Sequence, residues 1–496
     1  MRYSDHRAII DIGSNSVRIN IMGISKEGHF MLVDQAREKT RISAGMGEDK
    51  MIRPEAIERL LDTLQSFEQI MQVYQVSDVQ ALATAAIRQA NNQQDVLQIV
   101  ERKTPFSLTV LSEEEEATLG FLGSVNSLNE SDALLVDLGG ASTEFVLMRK
   151  RQMVQWGSIP YGAVTLSEKF ANDRGAAISF IRSQLEKVDW LDEAKGLPVI
   201  GLGGSIRTLA KIDQIRRNWP LDNLHGYSVS AKNTAKYLDE ISRAVGARIR
   251  RMRGVSSTRA DILRIGIVPF EVIFERIAAP FVRISIQGIR EGAFYREYLK
   301  LNGHHPILSD VADFSGKNLQ RRMGVSEEHA SYIEWLFLEL YDQLEKDKLP
   351  GERRLLQMAA RLHDIGMGVG YFTHHQHGLY LALHAGLLGF YEEERMFIAL
   401  LIGLHRNRSL GRFSRPYSQW LGRDMMQRIE RLGVLLSLAE RLDRTESKTV
   451  ESIEVTEQAL LVKLKNAYRK NLLEISIESL RRPFAAKYEK EIILLR

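Results

Sequence analysis

The 496-residue sequence contains no cysteine. That excludes disulfides, thiol catalysis and zinc–thiolate centres, and it is compatible with a reducing cytoplasm. No stretch is long enough and uncharged enough to span a bilayer. The first residues, Met1 to Arg7, pass almost at once into a strand-like run, so neither a signal-peptide core nor a membrane anchor is expected there. No low-complexity linker interrupts the chain. With 44% hydrophobic and 26% charged residues the composition is that of a globular protein, and the length calls for about three or four domains. A cytoplasmic protein is the expectation. Net charge is also low, at +4, but unevenly spread. Between Ile241 and Ala260 no acidic residue offsets Arg243, Arg248, Arg250, Arg251, Arg253 and Arg259. Together with Arg207, Lys211, Arg216 and Arg217 they predict a positive surface suited to a polyanion.

Two matching segments stand out against this background, Asp11-Ile12-Gly13-Ser14-Asn15-Ser16 and Asp137-Leu138-Gly139-Gly140-Ala141-Ser142-Thr143-Glu144. In each, a short apolar run ends in Asp, turns through glycine and small hydroxyl residues, and resumes as a strand. Glycine lets backbone N–H groups approach an anion, Ser and Thr add donors, and a strand-end Asp can hold a divalent cation against a phosphate. One such turn is an ordinary hairpin. Two of them, in successive halves, predict a cleft between duplicated domains. A third segment, Val199-Ile200-Gly201-Leu202-Gly203-Gly204-Ser205, reads as strand, glycine turn and helix N-terminus, which offers an anion free N–H groups and a favourable dipole.

The order of elements is α/β in both halves. Strands are expected at Arg7–Asp11, Val17–Ile24, His29–Glu38, Val79–Thr84 and Ser107–Leu111, with a helix from Arg53 to Tyr74. They recur at Leu134–Asp137, Glu144–Arg149 and Gln152–Ser158. From about Pro306 the character becomes helical, with amphipathic stretches at Ser326–Leu344, Glu352–Asp364 and Met425–Arg441. A tail after Thr449 alternates again, predicting strands at Val450–Glu454, Leu460–Lys465, Leu473–Ile477 and Glu491–Leu495.

The run Glu113-Glu114-Glu115-Glu116 opens a predicted helix. Ser112 can cap it, Glu115 can close a capping box, and an acidic first turn suits the helix dipole. Helical continuation puts Glu116 on the stripe of Gly120 and Gly123, beside closely approaching backbone or substrate.

Taken together, Asp11-Ile-Gly-Ser-Asn-Ser, Thr84-Ala-Ala-Ile-Arg88, Ser112-Glu-Glu-Glu-Glu116-Ala117, the segment from Asp137 to Glu144, Gly201-Leu-Gly-Gly-Ser205 and Arg259-Ala-Asp261 resemble the actin-like ATPase superfamily. Within it they are most similar to exopolyphosphatases and guanosine pentaphosphate phosphohydrolases, over nearly the whole chain. The resemblance implies two actin-like, ribonuclease-H-like α/β domains at 1–131 and 132–303, an all-α HD-like domain at 304–448 and a small α/β domain at 449–496. It implies hydrolysis of a terminal phosphoanhydride by in-line attack of water. Glu116 is the residue placed to activate that water, with Glu115 second, and Glu144 is the other catalytic candidate. Asp11, Asp137 and Glu144 would hold Mg²⁺ or Mn²⁺. Gly13, Ser14, Asn15, Gly139, Gly140, the Ala141 backbone, Ser142, Gly204 and Ser205 would grip phosphoryl oxygens, with Arg88 adding charge-assisted contacts. Ala141 stands where many relatives carry a third glycine, and its methyl group narrows the loop. The implied substrate is inorganic polyphosphate; the alternatives are guanosine pentaphosphate, or a polyphosphate- or nucleotide-binding regulator with weakened catalysis. A sugar-kinase-like activity shares the fold, and Glu116 and the arginine-rich stretch argue against it. A homodimer is implied, and no membrane or nucleic-acid partner is expected.

His363-Asp364 lies within the apolar-periodic stretch Leu355–Gly366. Imidazole and carboxylate from neighbouring positions can share one cation when other helices complete the shell. His329 and Asp443 are the candidate partners, a layout that resembles HD-domain phosphohydrolases, and His375, His377 and His405 are candidates to extend it. The candidate second metal site is therefore His329, His363, Asp364 and Asp443.

Overall fold

Alternating apolar residues at the start of the chain form β1 (Asp5–Ile12), β2 (Val17–Ile24) and β3 (Phe30–Glu38), an antiparallel meander. In this computed structural model the described residues are 3–171, 173–406, 411, 414–465 and 470–495; Met1 and Arg2 of the expected N-terminal segment lie outside them. The helix Pro54–Tyr74 starts with proline in its first turn and buries Leu60, Leu61, Leu64 and Phe67 on one stripe. β4 (Asp78–Ala83) then pairs parallel with β1, and β5 (Leu108–Val110) with β4, giving the order β3-β2-β1-β4-β5.

The second half repeats the pattern. β6 (Ala133–Leu138), β7 (Thr143–Arg149) and β8 (Gln152–Ile159) form a meander, β9 (Val199–Gly203) pairs parallel with β6, and β11 (Phe281–Ile284) pairs parallel with β9. β10 (Ser228–Ser230) adds an edge strand, so the order is β10-β11-β9-β6-β7-β8. This duplicated succession of meander and parallel strands is the actin-like architecture, with helices covering each sheet.

Two helices tie the halves together. The helix Glu113–Val125 packs Phe121, Leu122 and Val125 against Leu135, Val146 and Ile200 of the second sheet. The helix Ile289–Leu301 packs back on the first, with the rings of Phe294 and Tyr298 tilted against Phe30. The two helices cross so closely that a Cβ on Gly292 would collide with the Leu119 carbonyl, and one on Gly123 with Gly288.

The chain divides into two compact units, Met1–Val311 and Ala312–Arg496. The second unit is helical, including Glu327–Leu344, Glu352–Arg361, His374–His384, Glu392–Leu404 and Arg415–Leu442. A three-stranded sheet, β12 (Val450–Val455), β13 (Ala459–Leu464) and β14 (Glu491–Leu495), follows.

Two sequence expectations change here. Leu473–Ile477, expected as a strand, lies within the helix Lys470–Tyr488, because Leu473, Ile477, Leu480 and Phe484 are buried at helical spacing while Ile475 is exposed. The helix expected over Glu352–Asp364 ends at Arg361, and His363-Asp364 occupies the turn that follows. Among the described residues no helix is long and apolar enough to cross a membrane.

Candidate active site

The two hairpins are built alike. Ile12 pairs with Val17 and Leu138 with Thr143, leaving four-residue loops closed by the same bond, Gly13 N–H to Ser16 O at 3.3 Å and Gly139 N–H to Ser142 O at 3.1 Å. The loops face each other: a Cβ on Gly140 would stand 2.9 Å from the Ser14 Cβ. One register position back, Asp11 pairs with Arg18 and Asp137 with Glu144. The duplicated frame therefore sets an arginine on one side where the other carries a carboxylate.

These residues line a cleft pocket of about 150 Å³, whose walls include Asp11, Gly13, Ser14, Asn15, Glu116, Asp137, Gly139, Gly140, Ser142, Glu144 and Gly204. The capping box forms at the helix Glu113–Val125, with Ser112 Oγ accepting from Glu115 N–H at 3.1 Å and Glu115 Oε2 accepting from Ser112 N–H at 2.8 Å. The cap occupies Glu115. Glu116, one residue on, is buried and faces the pocket. A small cavity of about 10 Å³, the size of one water, is lined by Glu116, Asp137 and Glu144 together with Gly120 and apolar neighbours.

Crowding acids out of water has a cost. Burial pushes the Glu116 carboxyl up to about 7, with Arg88 opposing and Asp137 and Asp11 adding to the rise. Burial takes Asp137 to about 6 against the pull of Arg207. Glu144 is raised well above the usual range by burial, then by Glu116 and Asp137. Asp11 is also raised by burial. Glu144 Oε1 is buried without a hydrogen bond. Carboxylates that repel one another, one with an orphaned oxygen, fit a hard divalent cation of the Mg²⁺ type.

Some expected residues lie elsewhere. Arg88 does not line the pocket: its Nη1 donates to Glu116 Oε2 at 2.7 Å and to Leu111 O at 2.8 Å, so it touches the acid instead of the phosphate cradle. Ala141 and Ser205 are buried behind the lining. The cationic wall comes from residues the motifs did not single out as site residues: Arg18, Arg37, Arg207, Arg259 and Arg290. Burial lowers Arg18 and Arg259 to about 10, and Arg207, Arg37 and Arg18 lower Arg259 further. Arg259 lies on the N-terminus of the helix Gly204–Arg217, where a Cβ on Gly204 would collide with its guanidinium. The same arginines continue with Lys211 into a second pocket of about 450 Å³. Of the basic stretch read from the sequence, Arg207, Lys211 and Arg259 line these pockets. Arg216 pairs with Glu240, Arg217 with Asp213 and Arg243 with Asp239. Alternation on β2 was the available signal for Arg18, directly across from Asp11.

In the helical unit His329, His363 and Asp364 come together, but the fourth member is Glu440. Asp443 stands behind, its Oδ2 3.3 Å from His329 Nδ1 and its Oδ1 accepting from Lys448 N–H at 2.7 Å, so it orients the imidazole. A second group joins Asp364 to His374 and His405; of the three histidines read as extensions only His405 belongs, and His374 takes the place of His375 and His377.

The description of the Ppx/GppA phosphatase family matches residues 23–301, and that of the family's domain III matches 311–481. The chain belongs to the Ppx/GppA phosphatase family. Its members are phosphoanhydride hydrolases, and the chain is an enzyme of that class. A family member from Aquifex aeolicus is 29% identical, with a TM-score of 0.51 over 60% of this chain and 99% of the other. An exopolyphosphatase from Cytophaga hutchinsonii shares the fold at 22% identity and a TM-score of 0.56, over 61% and 99% of the two chains. A guanosine-5'-triphosphate,3'-diphosphate pyrophosphatase from Pseudoalteromonas atlantica is 26% identical over 462 residues, 88% of this chain and 86% of that protein.

Proposed function

We propose that the chain is a cytoplasmic exopolyphosphatase, removing terminal phosphate from inorganic polyphosphate. The observation that carries this reading is the continuity of the acid cluster with the arginine-lined pockets. The terminal phosphate would sit between the hairpin loops, and the residues beyond it would lie along Arg18, Arg37, Arg207, Arg259 and Arg290. No aromatic side chain lines either pocket among the described residues, so a chain of phosphates is served better than a stacked base. A divalent cation on Asp11, Asp137 and Glu144 would neutralise charge on the phosphoryl group. Glu116 would take the proton of the attacking water, and its raised pKa places it near neutrality, where a general base is most effective. Arg88, paired with Glu116, keeps that base from being protonated at still higher pH. Hydrolysis of guanosine pentaphosphate is the second reading, favoured by the near-full-length similarity to the Pseudoalteromonas protein.

Phosphate release from long polyphosphate, short polyphosphate and guanosine pentaphosphate, each with and without Mg²⁺, tests both readings. The wild type should favour polyphosphate, with kcat/KM rising with pH through about 7 as Glu116 loses its proton. Glu116→Gln should lower kcat by roughly 10²–10⁴-fold and remove that rise. Preference for guanosine pentaphosphate would select the second reading. A Glu116→Gln enzyme as fast as wild type on all three would sink the catalytic assignment.

A further inference from the structure

Four histidines of the helical unit are held in one tautomer. His363 Nδ1 lies 2.7 Å from Ala360 O, His374 Nδ1 2.8 Å from Tyr371 O, and His405 Nδ1 2.7 Å from Ile402 O. A carbonyl only accepts, so each Nδ1 carries the proton and each neutral ring turns a lone pair outward on Nε2. Asp443 imposes the same choice on His329. This is the outer-shell arrangement that fixes metal-binding imidazoles.

The four Nε2 atoms then point at one another and at carboxylates. His374 Nε2 is 3.0 Å from His405 Nε2, and they lie 3.3 and 3.6 Å from Asp364 Oδ1. His363 Nε2 is 3.4 Å from Asp364 Oδ2 and 3.2 Å from Glu440 Oε2, which is 3.5 Å from His329 Nε2. His363 Nε2 and Glu440 Oε2 are buried and make no hydrogen bond. Lone pairs facing lone pairs repel where water is scarce, and a positive charge between them, whether a proton or a metal ion, reconciles them. Metal–nitrogen bonds of 2.0–2.1 Å place neighbouring ligands roughly 3.0–3.4 Å apart, close to the spacing seen. Asp364 turns one oxygen to each group. The tight turn brings the second group near, because a Cβ on Gly366 would collide with the His374 carbonyl.

We propose that these residues form a two-metal centre for divalent first-row transition cations. His329, His363, Glu440 and Asp364 Oδ2 hold one ion; His374, His405 and Asp364 Oδ1 hold the other, with Asp364 as the bridge. Four imidazoles favour transition ions such as zinc and iron over magnesium. The second ion, with three protein ligands, keeps positions for water or a substrate oxygen, as catalytic sites do. The centre's donor set differs from that of the cleft, whose metal-ligand candidates are all oxygen.

Full-length protein stripped with a chelator and reloaded with Mn²⁺, Fe²⁺ or Zn²⁺ in excess Mg²⁺ provides the test, since Mg²⁺ keeps the cleft occupied. Wild type should retain two transition ions per chain by mass spectrometry, and the Mn²⁺ form should show an exchange-coupled pair by electron paramagnetic resonance. His374→Ala with His405→Ala should retain one ion. Asp364→Asn should lose the coupled signal, and Glu440→Gln should weaken the first ion even where Asp364→Asn folds poorly. Asp443→Asn should keep both ions with affinity lowered about 10- to 100-fold. A wild type that retains no more transition metal than a folded Asp364→Asn or Glu440→Gln variant, or a double histidine variant that retains as much as wild type, overturns the proposal.

Discussion

Asp137 shows what the cleft costs the fold. Its carboxyl is raised from 3.8 to about 6 by burial, so the folded state binds the proton more tightly than the unfolded chain does. The stability this contributes is fully present below about pH 4 and is lost as pH rises through 6. At pH 8 without metal, the ionised group costs about 3 kcal/mol, from that shift at 1.36 kcal/mol per unit. Asp137→Asn should therefore melt at or above the wild-type temperature at pH 8 in chelator, while losing the rise that Mg²⁺ gives the wild type. Thermal melts of both proteins with and without Mg²⁺ check this, and a variant less stable than wild type in chelator would show that the carboxylate is not strained. The neighbouring acids mark how far sequence reading reaches at this scale. Glu115 and Glu116 were separable because capping is local: three residues fix where each side chain goes. Glu440 was not, since its partners His329 and His363 come from a helix and a turn distant in sequence.

At the scale of elements, the same substitution has opposite meanings at two glycines. Gly292 lies where the helix Ile289–Leu301 crosses Glu113–Val125, and an added methyl meets the Leu119 carbonyl, which is backbone and cannot step aside. Gly292→Ala should destabilise the protein by about 1–3 kcal/mol or more. Gly204 meets the end of the Arg259 side chain, which can move. Gly204→Ala should leave the melting temperature within a few degrees, because alanine suits a helix start, and should raise KM for polyphosphate by displacing that guanidinium. Melting curves and steady-state kinetics on the pair separate the cases; a Gly204→Ala enzyme with unchanged KM would remove Arg259 from the substrate's path. The hairpins, the Pro54–Tyr74 helix and both meanders were readable because their signals are periodic and near in sequence. The tail helix was misread because Ile475 and Ile477 alternate as strand residues do, and only burial shows the longer period of Leu473, Ile477, Leu480 and Phe484. The arginine wall was legible as charge and not as geometry, since β2, β3, two helices and the stretch around Arg259 each supply one member.

For the whole molecule, the decisive feature is that the cleft belongs to one unit. Every residue of the acid cluster, both hairpins and the five arginines lies before Val311, where the first unit ends. The returning helix Ile289–Leu301 completes the cover of the first sheet within that unit, so a cut after it severs no strand of either large sheet. The Aquifex relative is matched over 99% of its length by 60% of this chain, which makes a protein of about that extent a precedent for independent folding. Residues 1–311 expressed alone should fold cooperatively and release phosphate from short polyphosphate with a kcat within about three-fold of the full chain, as expected for a domain with its own core. In excess Mg²⁺, which keeps the cleft occupied, such a fragment should also retain no transition metal, because the imidazole cluster lies wholly in residues 312–496. Circular dichroism, phosphate release and metal analysis on the fragment decide the matter: a folded fragment without hydrolysis would mean that the second unit contributes to the cleft chemistry, and its two sites would then have to be understood as one system.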